Sequence, residues 1–341
     1  MAAKGPSLLE QGWYQDNWLT RLLRPVSKLF AVVSKRRRFA QQRQATDNPL
    51  SIPVIVVGNI SVGGTGKTPL LIFLVQALQA AGYRPGVISR GYGGKAPTYP
   101  LMVSADTPPQ EGGDEPVLIA SQCQCPVVVD PNRRQGAEYL ITHSDCNIIL
   151  SDDGLQHYRL PRQLEIAVID GNRGFGNGKL FPAGPLREPL SRLSEVDFVI
   201  SNGQLAPQIA EQIGVVPTVM SVEPVGELRP LLPGPKRQPV RARDWPFTRR
   251  EVHAVAGIGN PQRFVDTLTK LGFVPTLTAY PDHHKYCPED LELTPGRPII
   301  LTAKDAVKCR SFASSDADCW VLDVAAKLPS EWFDGLLNKL R

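Results

Sequence analysis

The sequence has no apolar run of 18 or more residues, the length that a membrane-spanning helix requires. Its N-terminus lacks the basic start, apolar core and small-residue cleavage site of a secretory signal peptide. Six cysteines are scattered without paired Cys-x-x-Cys motifs, which excludes the common zinc-site pattern, and a chain of this size needs no disulfide framework. We therefore expect a cytoplasmic chain with reduced thiols; these absences leave association with a membrane surface open.

Length and net charge limit the number of domains and the kinds of partner less strictly. A chain of 341 residues exceeds one average domain and fits two, because single cores stop growing near about 250–300 residues. The net charge of +5 is a mild excess that does not identify a partner. We expect no nucleic-acid partner and predict no obligate protein partner. Much of the positive charge lies in the first 45 residues, which we treat as a separate stretch.

Residues 1–45 carry apolar and basic side chains at roughly helical spacing, and Pro25 is expected to kink or restart the helix. Apolar residues on one face and lysine or arginine on another are typical of a helix that lies on an anionic membrane. An N-terminal helix packed on its own domain fits the same pattern, so the residues leave both interpretations open. The apolar positions are Trp13, Trp18, Leu19, Leu22, Leu23, Val26, Leu29, Phe30 and Val33.

The remaining chain divides by its periodicity. Short apolar strands alternate with helices over 46–205, which predicts a parallel sheet covered on both faces. Proline and glycine become frequent over 206–250, where we expect a linker or an extended element that crosses between domains. Strand and helix patterns resume over 251–341 and predict a second, smaller α/β domain.

The strongest single signal is a glycine-rich loop at 61–68, SVGGTGKT, between a predicted buried strand and a predicted helix. That context is the one a phosphate-binding P-loop needs. Backbone N–H groups of small residues can approach phosphate oxygens, and the helix N-terminus adds partial positive charge. The predicted ATP-binding residues are Ser61, Val62, Gly63, Gly64, Thr65, Gly66, Lys67 and Thr68.

Two residues of this loop have more specific expectations. Lys67 should reach the β- and γ-phosphates, and Thr68 should ligate Mg²⁺. Ser61 stands where the strict pattern has glycine, and we expect Gly63 and Gly64 to supply the missing backbone freedom. The predicted fold class is therefore α/β, with a P-loop NTPase-like parallel core, a smaller C-terminal α/β domain and an N-terminal amphipathic helix.

Acidic residues suggest where Mg²⁺ would bind. Asp152 and Asp153 follow a fully apolar stretch that predicts a strand. Mg²⁺ takes one or two carboxylates together with phosphate and water, and a strand end beside a P-loop is a usual place for them. A surface turn is the other interpretation, because Asp-Gly is a common turn dipeptide. The apolar strand and the carboxylate pair together favour the metal site.

Two further motifs are weak when taken alone. Asp114 lies in a Gly-Asp-Glu-Pro stretch, and acidic loop residues are usually only solvated. His283 and His284 are adjacent, as histidines are in many ordinary loops. A carboxylate oriented by a histidine could act as general base on a sugar hydroxyl. Spacing does not bring Asp114 to His283, because the two are predicted in different domains.

Seven motifs occur along the chain in a fixed order. They are GNISVGGTGKTP at 58–69, SRGYG at 89–93, GDEP at 113–116, DDGLQH at 152–157, PAGPLRE at 182–188, Asp282-His283, and TAKDAVK at 302–308. Together they closely resemble the tetraacyldisaccharide 4′-kinase family of lipid A biosynthesis. The resemblance extends over nearly the whole chain and is far more specific than the P-loop alone.

The resemblance implies a function that composition does not reveal. Family members transfer the γ-phosphoryl group of ATP to the 4′-hydroxyl of a tetraacylated glucosamine disaccharide 1-phosphate, which gives the lipid IVA precursor. It implies Asp114 as catalytic base, His283 as the residue that tunes or orients it, and Asp152 and Asp153 at Mg²⁺. It also implies work at the cytoplasmic face of a Gram-negative inner membrane, which strengthens the membrane interpretation of 1–45. Whether His284 takes part stays open.

Two other functions are compatible with a P-loop. One is an ATPase or GTPase switch that acts at the membrane; the absence of a guanine-reading Asn-Lys-x-Asp motif weakens its GTPase form. The other is a kinase for a soluble small molecule, and the amphipathic N-terminal stretch argues against it. Phosphorylation of the acylated disaccharide separates the three.

Overall fold

The computed structural model describes most of the chain. The described residues are 8–340 without Asp16, Pro233, Pro235, Lys236, Pro295 and 314–317. The α/β class predicted from the sequence is confirmed, and helices lie along a large, mostly parallel sheet. The helices are α1 (Leu8–Gln15), α2 (Trp18–Leu22), α3 (Arg24–Asp47), α4 (Lys67–Ala80), α5 (Pro109–Gly112), α6 (Asp114–Gln122), α7 (Arg133–His143), α8 (Pro207–Ala210), α9 (Pro261–Lys270), α10 (Ala303–Cys309) and α11 (Ser330–Leu340).

Thirteen strands form one sheet within the described residues. They are β1 (Val54–Gly58), β2 (Pro85–Ser89), β3 (Leu101–Val103), β4 (Val127–Val129), β5 (Ile148–Asp152), β6 (Leu164–Asp170), β7 (Phe198–Asn202), β8 (Thr218–Pro230), β9 (Val240–Arg241), β10 (Glu251–Ala256), β11 (Val274–Ala279), β12 (Ile299–Thr302) and β13 (Cys319–Lys327). Their order is β11-β10-β12-β13-β8-β7-β6-β1-β5-β2-β4-β3, with β9 paired to β8.

The P-loop strand β1 lies inside the parallel part of the sheet, between β5 and β6. All five of its residues are buried, as expected of a strand with helices on both faces. Val57 is in register with Asp152. Parallel neighbours end at the same edge of a sheet, so the end of β5 lies beside the loop that follows β1.

Strand β8 joins the two parts of the sheet and lies within the stretch 206–250. Its first residues pair in parallel with β7, and the rest pair antiparallel with β13. Two of the prolines that suggested a linker, Pro224 and Pro230, lie within the strand. Pro224 pairs with Val324, next to a shift of register. Proline lacks an N–H donor and is tolerated at such irregularities.

The two α/β parts also share apolar packing. One core cluster contains Ile55 of β1, Val255 of β10 and Leu336 of α11. Helix α11 contributes Trp332, whose ring meets Phe198 edge-on at a centroid distance of 5.4 Å. The division of the chain into domains stays a prediction, since the sheet and this core run through both parts.

The N-terminal helices pack on the loop around Phe181 and Pro182. Trp13 Nε1 donates a hydrogen bond to the Pro182 carbonyl at 3.0 Å, and the rings of Trp13 and Phe30 both meet Phe181 edge-on. Pro25 lies in the first turn of α3. Other apolar side chains of these helices point to solvent, namely Leu8, Trp18, Leu22, Val26, Leu29, Val32, Val33 and Phe39. Among the described residues, no helix combines the length and the apolar character needed to cross a membrane.

Candidate active site

The glycine-rich loop leads from β1 into α4 as the sequence predicts. Gly66 caps the N-terminus of α4 with φ +90°, and a Cβ at this position would lie 2.3 Å from Asn202 Nδ2. The backbone conformation favours glycine here, and a larger residue would also have to displace the Asn202 side chain. Gly63 also has positive φ, at +108°, whereas the described non-glycine residues with positive φ are Asp153 and His283. Ser61 does not have positive φ, so its backbone conformation does not require glycine.

Two distant segments hold the loop in shape. Val62 N donates to the Pro185 carbonyl at 2.8 Å, and Arg187 N donates to the Ile60 carbonyl at 2.7 Å. On the other side, Asn202 Nδ2 at the end of β7 donates to the Thr65 carbonyl at 3.1 Å. The Asn202 side-chain oxygen accepts from Arg263 of α9 at 3.1 Å. The second α/β part thus reaches the P-loop through one intermediate side chain.

Asp153 contacts the P-loop lysine. Its φ of +46° is a left-handed conformation that aspartate tolerates better than most residues. Its carboxylate lies 3.4 Å from Lys67 Nζ and 3.1 Å from Arg187 Nη1. Burial alone would raise the pKa of Asp153, but the charges of Lys67 and Arg187 outweigh it and lower the pKa to about 2. Asp153 is therefore ionised.

Asp152, at the end of β5, is buried. Its Oδ2 accepts from Ser89 Oγ at 3.1 Å, while its Oδ1 is buried without a hydrogen-bond partner in the described part of the chain. Burial raises the pKa of Asp152 to about 7, with the charges of Glu115 and Asp153 acting in the same direction. A buried carboxylate oxygen without a partner is costly, and a cation at this place would relieve it.

The structure brings Asp114 to His283, which are 169 residues apart. Asp114 begins α6 and is 7% exposed; its Oδ2 lies 3.1 Å from His283 Nδ1. His283 has φ +60°, and its ring packs on Tyr92 at a centroid distance of 4.9 Å. The pairing that the sequence alone did not establish is present in the fold.

Lys304 links the two chain segments that carry Asp114 and His283. Lys304 Nζ, on α10, lies 3.0 Å from Glu115 and 3.0 Å from Asp282. Glu115 follows Asp114 and Asp282 precedes His283, so one ammonium ties both segments together. His284 points elsewhere: its Nε2 lies 3.0 Å from Asp290 and its ring stacks on Tyr280.

Several polar residues that the sequence did not single out lie in the same region. Arg133, Arg187 and His157 line the cleft beside the two aspartates. Burial lowers the pKa of His157 to about 3, and the charges of Arg133 and Arg90 contribute. His157 is therefore neutral at neutral pH. Arg187 and His157 belong to motifs that carry the family resemblance, and this membership could have identified them as site residues. No motif of the sequence pointed to Arg133.

Most of the predicted residues line one cleft of about 1010 Å³; Ser61, Thr65 and Asp114 are not among its lining residues. The lining includes Lys67, Thr68, Asp152, Asp153 and His283. The cleft extends to Phe30, Arg37 and Arg38 of α3. It therefore connects the phosphate-binding loop to the N-terminal helices.

Binding a nucleotide requires only the P-loop, whereas transfer of its phosphate requires an acceptor held opposite that loop. The cleft extends from the P-loop to the His283 ring, and the buried Asp114 carboxylate lies 3.1 Å from Nδ1 of that ring. The fold and the cleft thus define the class of protein, a P-loop phosphotransferase.

Comparisons with known proteins give the family. A family model described as tetraacyldisaccharide-1-P 4′-kinase matches residues 19–341. A protein of Aeromonas hydrophila named tetraacyldisaccharide 4′-kinase is 46% identical over 337 residues, which cover 98% of this chain and 96% of the relative. One of the same name from Alcanivorax borkumensis is 45% identical, with coverage of 97% and 96%. This chain belongs to the tetraacyldisaccharide 4′-kinase family, and the resemblance inferred from its motifs is confirmed.

A solved structure is similar as well. The crystal structure of LpxK from Aquifex aeolicus in complex with ATP has a TM-score of 0.72 and 27% identity to this chain. The match covers 94% of this chain and 99% of that one. A match of this extent includes both α/β parts.

Proposed function

We propose that this protein transfers the γ-phosphoryl group of ATP to the 4′-hydroxyl of a tetraacylated glucosamine disaccharide 1-phosphate, giving the lipid IVA precursor of lipid A. One observation carries the proposal: a single cleft is lined by the P-loop, by the Asp152–Asp153 strand end and by His283. We name residues 61–68 with Asp152 and Asp153 the donor half of the site, and Asp114 with His283 the acceptor half.

The donor half binds and orients the triphosphate. In this proposal the loop amides and Lys67 bind the phosphate oxygens, and Asp153 fixes the lysine, whose Nζ lies 3.4 Å from its carboxylate. Transfer spreads negative charge over the γ-phosphoryl oxygens, and positive groups held in place beforehand stabilise that charge. Lys67 is accordingly the donor-half residue with the largest catalytic role.

The residues also fit Mg²⁺. Within the described residues, no group of three or more His, Cys, Asp or Glu side chains would hold a metal by itself. Mg²⁺ at a kinase site instead takes one or two carboxylates and completes its shell with phosphate and water. Thr68, Asp152 and Asp153 are the proposed ligands, and the unpartnered Oδ1 of Asp152 is the best placed. When bound, Mg²⁺ neutralises charge on the phosphates.

The acceptor half activates the hydroxyl. We assign Asp114 as the base that takes the 4′-hydroxyl proton while the oxygen attacks the γ-phosphorus; the bond to the β,γ-bridging oxygen breaks, and ADP leaves. His283 Nδ1, 3.1 Å from Oδ2, orients the carboxylate. A positioned base contributes about 10²–10⁴-fold to the rate.

The N-terminal helices bring the enzyme to its lipid. Trp18, Leu22 and Leu29 are each about two-thirds exposed, and exposed arginines and lysines accompany them on α2 and α3. Such a surface suits an anionic membrane. We propose that the protein works as a peripheral enzyme at the cytoplasmic face of a Gram-negative inner membrane.

The alternative function is a P-loop ATPase switch at the membrane. Incubation with γ-labelled ATP and the acylated disaccharide 1-phosphate in mixed micelles separates the two. The proposal predicts label in the lipid, in amounts equal to the ADP formed. Release of labelled inorganic phosphate without labelled lipid would contradict it and favour the switch.

A further inference from the structure

A buried lysine lies next to the acceptor half without belonging to it. Lys308, on α10, is 6% exposed. Its Nζ lies 2.9 Å from Asp305 Oδ1 and 3.8 Å from Asp114 Oδ2, and 4.9 Å from the centre of the Tyr286 ring. Lysine is almost never buried unless it is paired. The two carboxylates around this ammonium therefore compensate its charge.

The position of Lys308 is set by the second α/β part. Its partner Asp305 is fully buried and accepts hydrogen bonds from Thr302 Oγ1 at 2.6 Å and from Gly257 N at 2.9 Å. Thr302 ends β12 and Gly257 follows β10, so two strand ends fix the Asp305 carboxylate. The lysine is therefore held independently of Asp114.

Two nitrogen atoms approach the same oxygen of Asp114. His283 Nδ1 and Lys308 Nζ lie 3.1 and 3.8 Å from Oδ2. An oxygen facing two positively charged or N–H groups is held in place, and the other oxygen of the carboxylate is left to accept a proton.

We propose that Lys308 is a positioning residue for the Asp114 carboxylate: anchored by Asp305, it fixes Oδ2 and leaves Oδ1 to receive the proton of the acceptor hydroxyl. This inference rests on the proposed role of Asp114 as base. It assigns to the TAKDAVK segment the task of placing the base, which lies on a helix of the other α/β part.

The competing explanation is that Lys308 only neutralises Asp305, its closer partner. A single Lys308→Met change does not separate the two, because it also leaves Asp305 as a buried unpaired charge. The double variant Lys308→Met/Asp305→Asn removes both charges and leaves none unpaired. Lys270→Met, at an exposed lysine of the same α/β part, is the control.

The experiment measures kcat and both KM values of each variant, normalised to the fraction of protein that binds ATP, together with the melting temperature. We expect the double variant to melt above Lys308→Met and yet to keep a kcat about tenfold to hundredfold below wild type, the size of loss that a misplaced catalytic group causes. Both KM values should stay within about twofold, since only the transition state is affected. Lys270→Met should match wild type.

Recovery of wild-type kcat in the double variant would overturn the proposal, because the lysine would then serve Asp305 alone. A rise in either KM with unchanged kcat would overturn it as well. Failure of the base assignment looks different: Asp114→Asn would then turn over like wild type, whatever the Lys308 variants do.

Discussion

The donor half and the acceptor half of the site are built by the chain in different ways. The donor half comes from two neighbouring parallel strands, β1 and β5, whose register places Asp152 beside Val57, just before the P-loop. The acceptor half joins Asp114 to His283 across 169 residues. Its contacts, including the Lys304 bridge to Glu115 and Asp282, run between separate parts of the sheet.

Because the two halves are supported differently, we expect substitutions in them to affect different steps of the reaction. The donor half is supported by the sheet itself, in which β1 is buried on both faces. The acceptor half depends on two buried or half-buried lysines that hold α6 against the second α/β part. Changes in the donor half should therefore affect ATP binding and transfer together, whereas changes in the acceptor half should affect transfer alone.

The largest effect in the donor half is expected for Lys67→Met. It removes the charge that faces the phosphates and leaves Asp153 with Arg187 only. We predict that kcat/KM falls by at least about 10²–10³-fold, as for the loss of one preorganised charge-stabilising group, and that ATP binding weakens as well. Steady-state kinetics and calorimetric titration with ATP measure the two. Unchanged ATP affinity in Lys67→Met would contradict the expectation that changes in the donor half affect ATP binding as well as transfer.

A smaller loss is expected for His283→Ala, and its neighbour supplies the control. His283 contacts Asp114, while His284 pairs with Asp290. We predict that His283→Ala lowers kcat about tenfold to hundredfold, less than removal of the base itself, with ATP affinity unchanged. His284→Ala should stay within about threefold of wild type in the same assay. Equal losses in both variants would show that the loop matters only as a whole.

The N-terminal surface should affect delivery of the lipid and leave ATP binding alone. Replacing Trp18, Leu22 and Leu29 with serine is expected to lower binding to anionic vesicles at least about tenfold, because each large apolar side chain contributes about 1.5–3 kcal/mol when buried. Vesicle sedimentation measures it. Serine at the exposed Val216, Val225 and Val274 is the matched control. Equal binding of both triple variants would favour a helix that serves only its own domain.

The smallest effect concerns His157, on the donor side. Its pKa falls from about 6.5 in the unfolded chain to about 3 when buried. Between these values the unfolded chain binds a proton that the folded chain does not, so stability decreases as pH falls from 6.5 toward 3. His157→Gln should weaken this decline by less than about 1.4 kcal/mol per pH unit. Urea unfolding at pH 6 and pH 4 measures it; parallel curves for both proteins would contradict the burial effect.

The same contrast explains what the sequence predicted. The P-loop lies in eight consecutive residues between a strand and a helix, and the Asp152–Asp153 pair ends an apolar strand, so local pattern found both. Asp114 and His283 were assigned through the family resemblance, because spacing along the chain carries no signal for a contact across 169 residues.

Other features had no local signal. The prolines of β8 hid a strand whose pairing depends on β7 and β13. Helix α10 has only seven residues, too few for a clear periodicity, yet it carries Lys304 and Lys308. Nothing in the sequence around Asn202 marks it as a site residue, and only the fold shows that it donates a hydrogen bond to the Thr65 carbonyl. Each of these residues owes its role to tertiary packing.

The central claim is that Asp114 is the base of an acceptor half that is separate from ATP binding. Asp114→Asn keeps the shape of the side chain and removes its ability to take a proton. We predict that its kcat for lipid phosphorylation falls by about 10²–10⁴-fold, that its ATP affinity equals that of wild type, and that its loss exceeds that of His283→Ala. Near-normal turnover in Asp114→Asn, or a greater loss in His283→Ala, would contradict the assignment.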